Sequence, residues 1–284
     1  MKEIAVFNDL SGYGKCSLSV ALPILSVLGC TCHAIPTAVL TGQGGYAHFH
    51  CQEMTEMLPQ YASNWEKNNA KLDSIYTGYM TSPEQIDIVS SFIDTFSQDN
   101  PFLLVDPVMG DHGRVYRIFS EQLLEKMKTL VKRANMITPN LTEACLLAGV
   151  DFETFTSITD NEELLSKVSQ LALQLQNTSN TKQDVIITGV RLKQISSQYI
   201  YIVAAINGQI EIYKSYLFDK SFSGTGDIFS SAMCGLKMKG YSTKESIKIA
   251  GDFLYHSIAD TMNENSSGND GILFESHLCE LIQV

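Results

Sequence analysis

The sequence predicts an α/β protein: a mostly parallel central sheet flanked by helices on both faces, with an antiparallel hairpin at one edge. Three observations predict it. Strand-like and helix-like segments alternate along the chain, as in repeated βα units. The apolar run at residues 102–105 is continuous rather than alternating, as in a strand covered on both faces, and residues 184–188 read as another buried strand. Late in the chain the pattern changes: residues 199–206 and 209–213 flank Asn207-Gly208, a strong two-residue hairpin signal.

Residues 2–7 read as the first strand, and a helix over 15–28 is stopped by Gly29. A short strand over 32–36 precedes a Gly-rich loop, Thr41-Gly42-Gln43-Gly44-Gly45. A strand over 72–77 follows, then a helix from Pro83 to residue 97, with Pro in the first turn where no hydrogen bond is lost. The run at 102–105 closes on Asp106-Pro107. A helix over 121–134 leads to a strand at 136–138, a short helix from Asn140 to near Gly149, and a helix over 162–176. Two long helices and a short one finish the chain. Ser242 and Glu245 form a capping box for the helix that runs to about Asn263. No linker, repeat or low-complexity stretch interrupts this order, so residues 1–284 are expected to form a single domain.

Composition narrows the function classes. Of 284 residues, 44% are hydrophobic and 18% charged, enough for a sizeable core. The formal net charge of -11 argues against a nucleic-acid partner, which relies on Lys and Arg. No run approaches the roughly 20 apolar residues that span a bilayer, so no membrane partner is expected. The N-terminus lacks a signal peptide's apolar stretch and cleavage site. Seven scattered cysteines without a CxxC pair suit the reduced cytoplasm. Cys30-Thr31-Cys32-His33 and His48-Phe49-His50-Cys51 lack a second half at zinc spacing, so ordinary Cys and His are the better reading.

Four motifs carry chemistry. Ser223-Gly224-Thr225-Gly226-Asp227 opens a helix whose unpaired N–H groups attract anions. Asp227 there can take a proton from an attacking hydroxyl as charge builds on a transferred phosphoryl; alone, the motif reads equally as a turn with a helix-terminus Asp. Asp106-Pro107-Val108-Met109-Gly110-Asp111 places a carboxylate at a strand end, suited to hydrated magnesium, or simply ends a strand before a turn. Thr138-Pro139-Asn140-Leu141-Thr142-Glu143 is itself a capping box, unless Glu143 faces a metal-bound phosphate instead. The loop Asn8 to Lys15 has neither a complete dinucleotide pattern nor the Gly-Lys-Ser/Thr ending of a P-loop, because Cys16 follows Lys15. It suits substrate recognition better.

Together with Pro36-Thr37-Ala38-Val39-Leu40 and Tyr76-Thr77-Gly78-Tyr79, these motifs, in this order, resemble the ribokinase superfamily and within it the bacterial vitamin B6 (pyridoxal, pyridoxine, pyridoxamine) kinases. The resemblance covers nearly the whole chain. It implies a ribokinase-like fold and transfer of the ATP γ-phosphoryl to the 5′-hydroxymethyl of pyridoxal. By that resemblance Asp227 is the general base, and Gly224, Thr225 and Gly226 form the anion hole. Asp106 and Glu143 act through Mg2+ and its waters, and Thr138 and Thr188 line the phosphate side of the ATP site. Ser215 and Phe218 lie near the nucleotide. Asn8, Gly44, Gly45 and Tyr79 face the vitamin ring, and residues 110–116 form a lid that excludes water. A monovalent cation and a homodimer are further expectations from the resemblance.

The chain departs from the family in places. Many vitamin B6 kinases have Ser where Asn8 stands, and Ser-Asn-His-Thr where Thr41 to Gly44 stand. One subgroup often has Lys in place of Thr188. The alternative acceptor is hydroxymethylpyrimidine or its phosphate, used in thiamine synthesis by a related kinase branch that commonly carries Cys where Asp227 stands. A non-catalytic vitamin-binding protein on the same fold is a third reading, against which the intact Gly224 to Asp227 set argues.

Overall fold

The computed structural model describes residues 1–192, 198–264 and 267–284. The chain begins with β1 (Lys2–Ser11), α1 (Ser17–Val27), β2 (Cys30–Leu40), β3 (Cys51–Glu53), α2 (Leu58–Lys67), β4 (Ser74–Thr77) and α3 (Pro83–Thr95). There follow β5 (Phe102–Val105), β6 (Gly110–Asp111), β7 (Arg114–Val115), α4 (Glu121–Val131), β8 (Met136–Ile137), α5 (Leu141–Ala148), α6 (Glu153–Thr156), α7 (Asn161–Asn177), β9 (Asp184–Val190), β10 (Tyr199–Ile206) and β11 (Gln209–Tyr216). The last helices are α8 (Thr225–Met238), α9 (Thr243–Met262) and α10 (Leu278–Ile282). These elements fall into two compact units, Met1–Phe102 with Phe218–Val284, and Leu103–Leu217.

In the first unit β1 lies between β2 and β4 and is parallel to both, while β3 runs antiparallel on the far side of β2. Helices cover both faces. Ser74 Oγ meets Cys234 Sγ of α8 at 3.5 Å. Phe7 stands opposite Thr77, three residues from Ser74, and so points to the other face, where its ring meets Phe92 of α3 edge-on at 4.9 Å. This explains why Ile4, Ala5, Val6 and Phe7 are all buried without alternation.

In the second unit β5, β8 and β9 are parallel neighbours. The hairpin of β10 and β11 adds on antiparallel, with β11 outermost. Its turn is the one expected: Asn207 and Gly208 both have positive φ, 52° and 77°. The α/β class, mainly parallel with an antiparallel edge hairpin, is therefore present.

Several bounds differ from expectation. The first helix starts at Ser17 rather than Lys15, because Cys16 is its N-cap in extended conformation. β2 runs on through Pro36 to Leu40, and its register with β1 shifts between Asn8 and Leu10, which accommodates a residue without an N–H. Helix α2 and strand β3 were not expected.

Candidate active site

The carboxylate of Asp227 sits in the first turn of α8. Gly224 is the N-cap at φ 80°, and no side chain caps the helix. The first intrahelical bond runs from Ile228 N to Gly224 O at 2.9 Å, so the N–H groups of Thr225, Gly226 and Asp227 have no partner within the helix. Glycine is required at 224, because a Cβ there would overlap the carbonyl oxygen of Lys15. That close approach brings the start of α1 against the start of α8.

Asp227 is surrounded by groups from β1 and α1. Asn8 Nδ2 donates to its Oδ1 at 3.1 Å. The backbone N–H of Ser17 also donates to the carboxylate. Asp9 lies near, its own carboxylate accepting from the hydroxyls of Ser11 and Ser17. Burial, with Asp9 adding repulsion, pushes the Asp227 carboxyl up to about 6, against the two hydrogen bonds that favour its charge. Such a group is ionised at neutral pH yet basic enough to accept a proton. Burial also raises Asp9, and raises the Cys16 thiol to about 12 with help from Asp227 and Asp9, so this thiol is not a nucleophile.

Gly44 and Gly45 lie in a loop held by a short 3-10 turn at Gly268–Asp270. Gln43 Nε2 donates to Asn269 O at 3.1 Å, Asn269 Nδ2 donates to Gly45 O at 2.9 Å, and Tyr46 Oη donates to Asp270. Tyr79 follows β4. Its N–H donates to Asn8 Oδ1 at 2.9 Å, and its carbonyl accepts from Thr37 Oγ1 at 2.7 Å. The structure thus brings Asn8, Tyr79 and Asp227 together. The sequence reading did not single out Ser17, Gln43, Tyr46, Asn269 or Asp270; the one local signal was the Ser267/Asp270 capping box.

The second unit holds a separate acidic cluster at the carboxyl ends of its parallel strands. Val105, Ile137 and Val185 are in register, and Asp106 and Thr138 follow the first two directly. Thr188 bridges to Asn140, its N–H donating to Pro139 O at 2.9 Å. Glu143 is 3% exposed and is committed to the cap of α5. Its Oε2 accepts from Asn140 N at 2.9 Å and its Oε1 from Met109 N at 3.1 Å. Burial, and then the Asp106 carboxylate, hold Glu143 well above the usual carboxylate range despite these bonds.

A divalent cation would relieve that repulsion, and each Glu143 oxygen keeps a lone pair for a water. Among the described residues no group of three His, Cys, Asp or Glu could hold a metal alone. Carboxylate oxygens without a full cage fit magnesium, which keeps waters and takes phosphate oxygens. The hairpin of β6 and β7 is tied to this cluster: Asn140 Nδ2 donates to Gly110 O at 2.8 Å, and Gly113 N to Thr142 Oγ1 at 2.9 Å. Ser215 is not in the cluster; it lies on β11, with β10 between it and β9. Phe218 belongs to the first unit, its ring 5.5 Å from that of Tyr255.

This fold is that of a family of small-molecule kinases. The chain belongs to the phosphomethylpyrimidine kinase family, whose model matches residues 22–270. A Bacteroides thetaiotaomicron protein, provisionally named a phosphomethylpyrimidine kinase and solved with pyridoxal, is 34% identical with a TM-score of 0.89, over 99% of this chain and 95% of that one. The pyridoxal kinase of Lactobacillus plantarum is 25% identical with a TM-score of 0.87, over 100% of this chain and 97% of that one. The pyridoxine/pyridoxal/pyridoxamine kinase of Bordetella avium is 23% identical over 261 residues, covering 90% of this chain and 84% of its own. No helix among the described residues is long and apolar enough to cross a membrane.

Proposed function

We propose that this protein is a vitamin B6 kinase, transferring the γ-phosphoryl of ATP to the 5′-hydroxymethyl of pyridoxal and its pyridoxine and pyridoxamine forms. The observation that carries the reading is Asp227: a carboxyl raised to about 6, in the first turn of a helix whose N–H groups are left open by a glycine cap. As the acceptor oxygen bonds to the γ-phosphorus and the bond to the ADP oxygen breaks, Asp227 takes the hydroxyl proton. The N–H groups at Gly224, Thr225 and Gly226 receive the phosphoryl oxygens. Asp106 and Glu143, through water, would hold Mg2+, which would neutralise charge on the ATP phosphates. Thr138 and Thr188 line the phosphates, and Ser215 and Phe218 the rest of the nucleotide. Gly44, Gly45 and Tyr79 form the acceptor side, with Asn8 beside them, and the hairpin at 110–116 is the lid.

On this reading residues 1–284 work as one catalytic domain, in a cytoplasmic homodimer that accommodates a monovalent cation. The seven free cysteines support a reducing compartment. A second reading, hydroxymethylpyrimidine kinase, is favoured by the description of the matching family.

ADP release is the test, with ATP, magnesium and each of pyridoxal, pyridoxine, pyridoxamine and hydroxymethylpyrimidine. Turnover of the B6 forms at the highest kcat/KM is expected. A preference for the pyrimidine would transfer the assignment to the second reading. Tight vitamin binding without turnover would leave only a binding protein.

A further inference from the structure

We infer that Asn8 is a positioning residue, which fixes the orientation of the Asp227 carboxylate instead of contacting the acceptor ring. The inference rests on the reading of Asp227 as the base. Asn8 is fully buried at the point where β1 shifts register. Its Oδ1 accepts from two backbone N–H groups, Tyr79 at 2.9 Å and Asp9 at 3.0 Å. Two donors on one oxygen determine which end of the amide faces which way. The nitrogen must then face Asp227 Oδ1, 3.1 Å away. Gly78 closes the other side: a Cβ there would lie 2.5 Å from Asn8 Nδ2, so only glycine leaves room for the amide.

The remaining groups around Asp227 show what this contact supplies. Asp9 comes from β1, and Cys16 and the Ser17 N–H come from the start of α1. Asp9 adds negative charge, and burial disfavours ionisation. Asn8 is a neutral donor that favours the ionised form without the full charge of a Lys, which would hold the carboxyl too low to act as a base. One rigid amide thereby ties the base to β1 and to the backbone at Tyr79, on the acceptor side.

The sharpest test is Asn8→Asp. It is isosteric and keeps an acceptor for both N–H groups, but presents an oxygen to Asp227 Oδ1. Two carboxyl groups at that distance share a proton. The acid limb of the kcat profile should move up by about one unit or more, which is about a tenfold loss of rate at acidic pH, partly regained at high pH. The acceptor KM should stay within about threefold, since by this inference Asn8 does not touch the acceptor. The carboxyl carbon of Asp227, followed by 13C NMR in the free protein, should titrate at correspondingly higher pH.

An unshifted acid limb and an unshifted Asp227 titration in folded Asn8→Asp overturn the inference, as does a large rise in acceptor KM at unchanged kcat. If Asn8→Asp does not fold, Asn8→Ser gives the same readouts: its hydroxyl ends one bond short of Asp227 and adds no charge, so a higher titration and lower kcat are again expected. The NMR titration needs no acceptor. A protein that phosphorylates none of the four acceptors therefore refutes the kinase reading while the Asn8 to Asp227 linkage is still measured.

Discussion

Asp227→Asn keeps the shape of the side chain and removes its charge, so one substitution reports on both catalysis and stability. As the base, Asp227 is expected to contribute about 10²–10⁴-fold to the rate, and kcat should fall by that factor while ATP binding stays nearly intact. Stability should move the other way. The folded carboxyl is raised from 3.8 to about 6, so the native state binds a proton that the unfolded chain has already released between those values. Native stability therefore falls as pH rises from about 4 to 6, and above 6 the whole penalty is present. A shift of about two units corresponds to about 3 kcal/mol. The Asn variant should thus unfold at a higher temperature than the parent at pH 7.5, and this advantage should shrink through pH 6 and vanish below 4. Initial ADP-release rates and calorimetric unfolding midpoints across that range check both halves. Unchanged turnover sinks the base assignment. A stability difference that does not vary with pH sinks the account of the buried charge.

Three other outcomes follow from the same contacts. Gly224→Ala forces a Cβ onto the Lys15 carbonyl in a left-handed conformation, which costs at least about 1–2 kcal/mol from the backbone alone; a lower unfolding midpoint with turnover largely lost is expected. Asn269→Ala frees Gly45 O and loosens the loop over residues 42–46. The acceptor KM should rise about threefold or more with kcat little changed, because binding contacts rather than the base are affected. Asn140→Ala removes both the cap of α5 and the hold on Gly110 O. It should lower stability by about 1–2 kcal/mol in denaturant titration and raise the KM for ATP.

Much of this was legible in the sequence because it is local. The capping boxes of Asn140 with Glu143 and Ser242 with Glu245 join residues three apart, and both are present. The Asn207-Gly208 hairpin needs only two residues that accept positive φ. Elements without such punctuation were missed. Helix α2 has Met57 as its N-cap with no side-chain cap, and β3 is three residues long with no buried side chain. β2 was cut short at Pro36, since proline normally ends a strand, whereas here the neighbouring irregularity tolerates it.

The sequence by itself determined the chemistry on offer: a glycine-capped helix start carrying Asp227, and carboxylates where strands end at Asp106 and near Asn140. The tertiary structure alone decided how those groups are used. Glu143 was open between cap and metal, and folding gives both its oxygens to backbone N–H groups beside the Asp106 charge. Asn8 reaches Asp227 across 219 residues of chain, and Asn269 reaches Gly45 across 224. Helix caps and turns are set by short-range geometry that a few neighbouring residues specify. The pairing of a base with the amide that orients it is set by which strand ends and helix starts pack together, and no spacing along the chain encodes that.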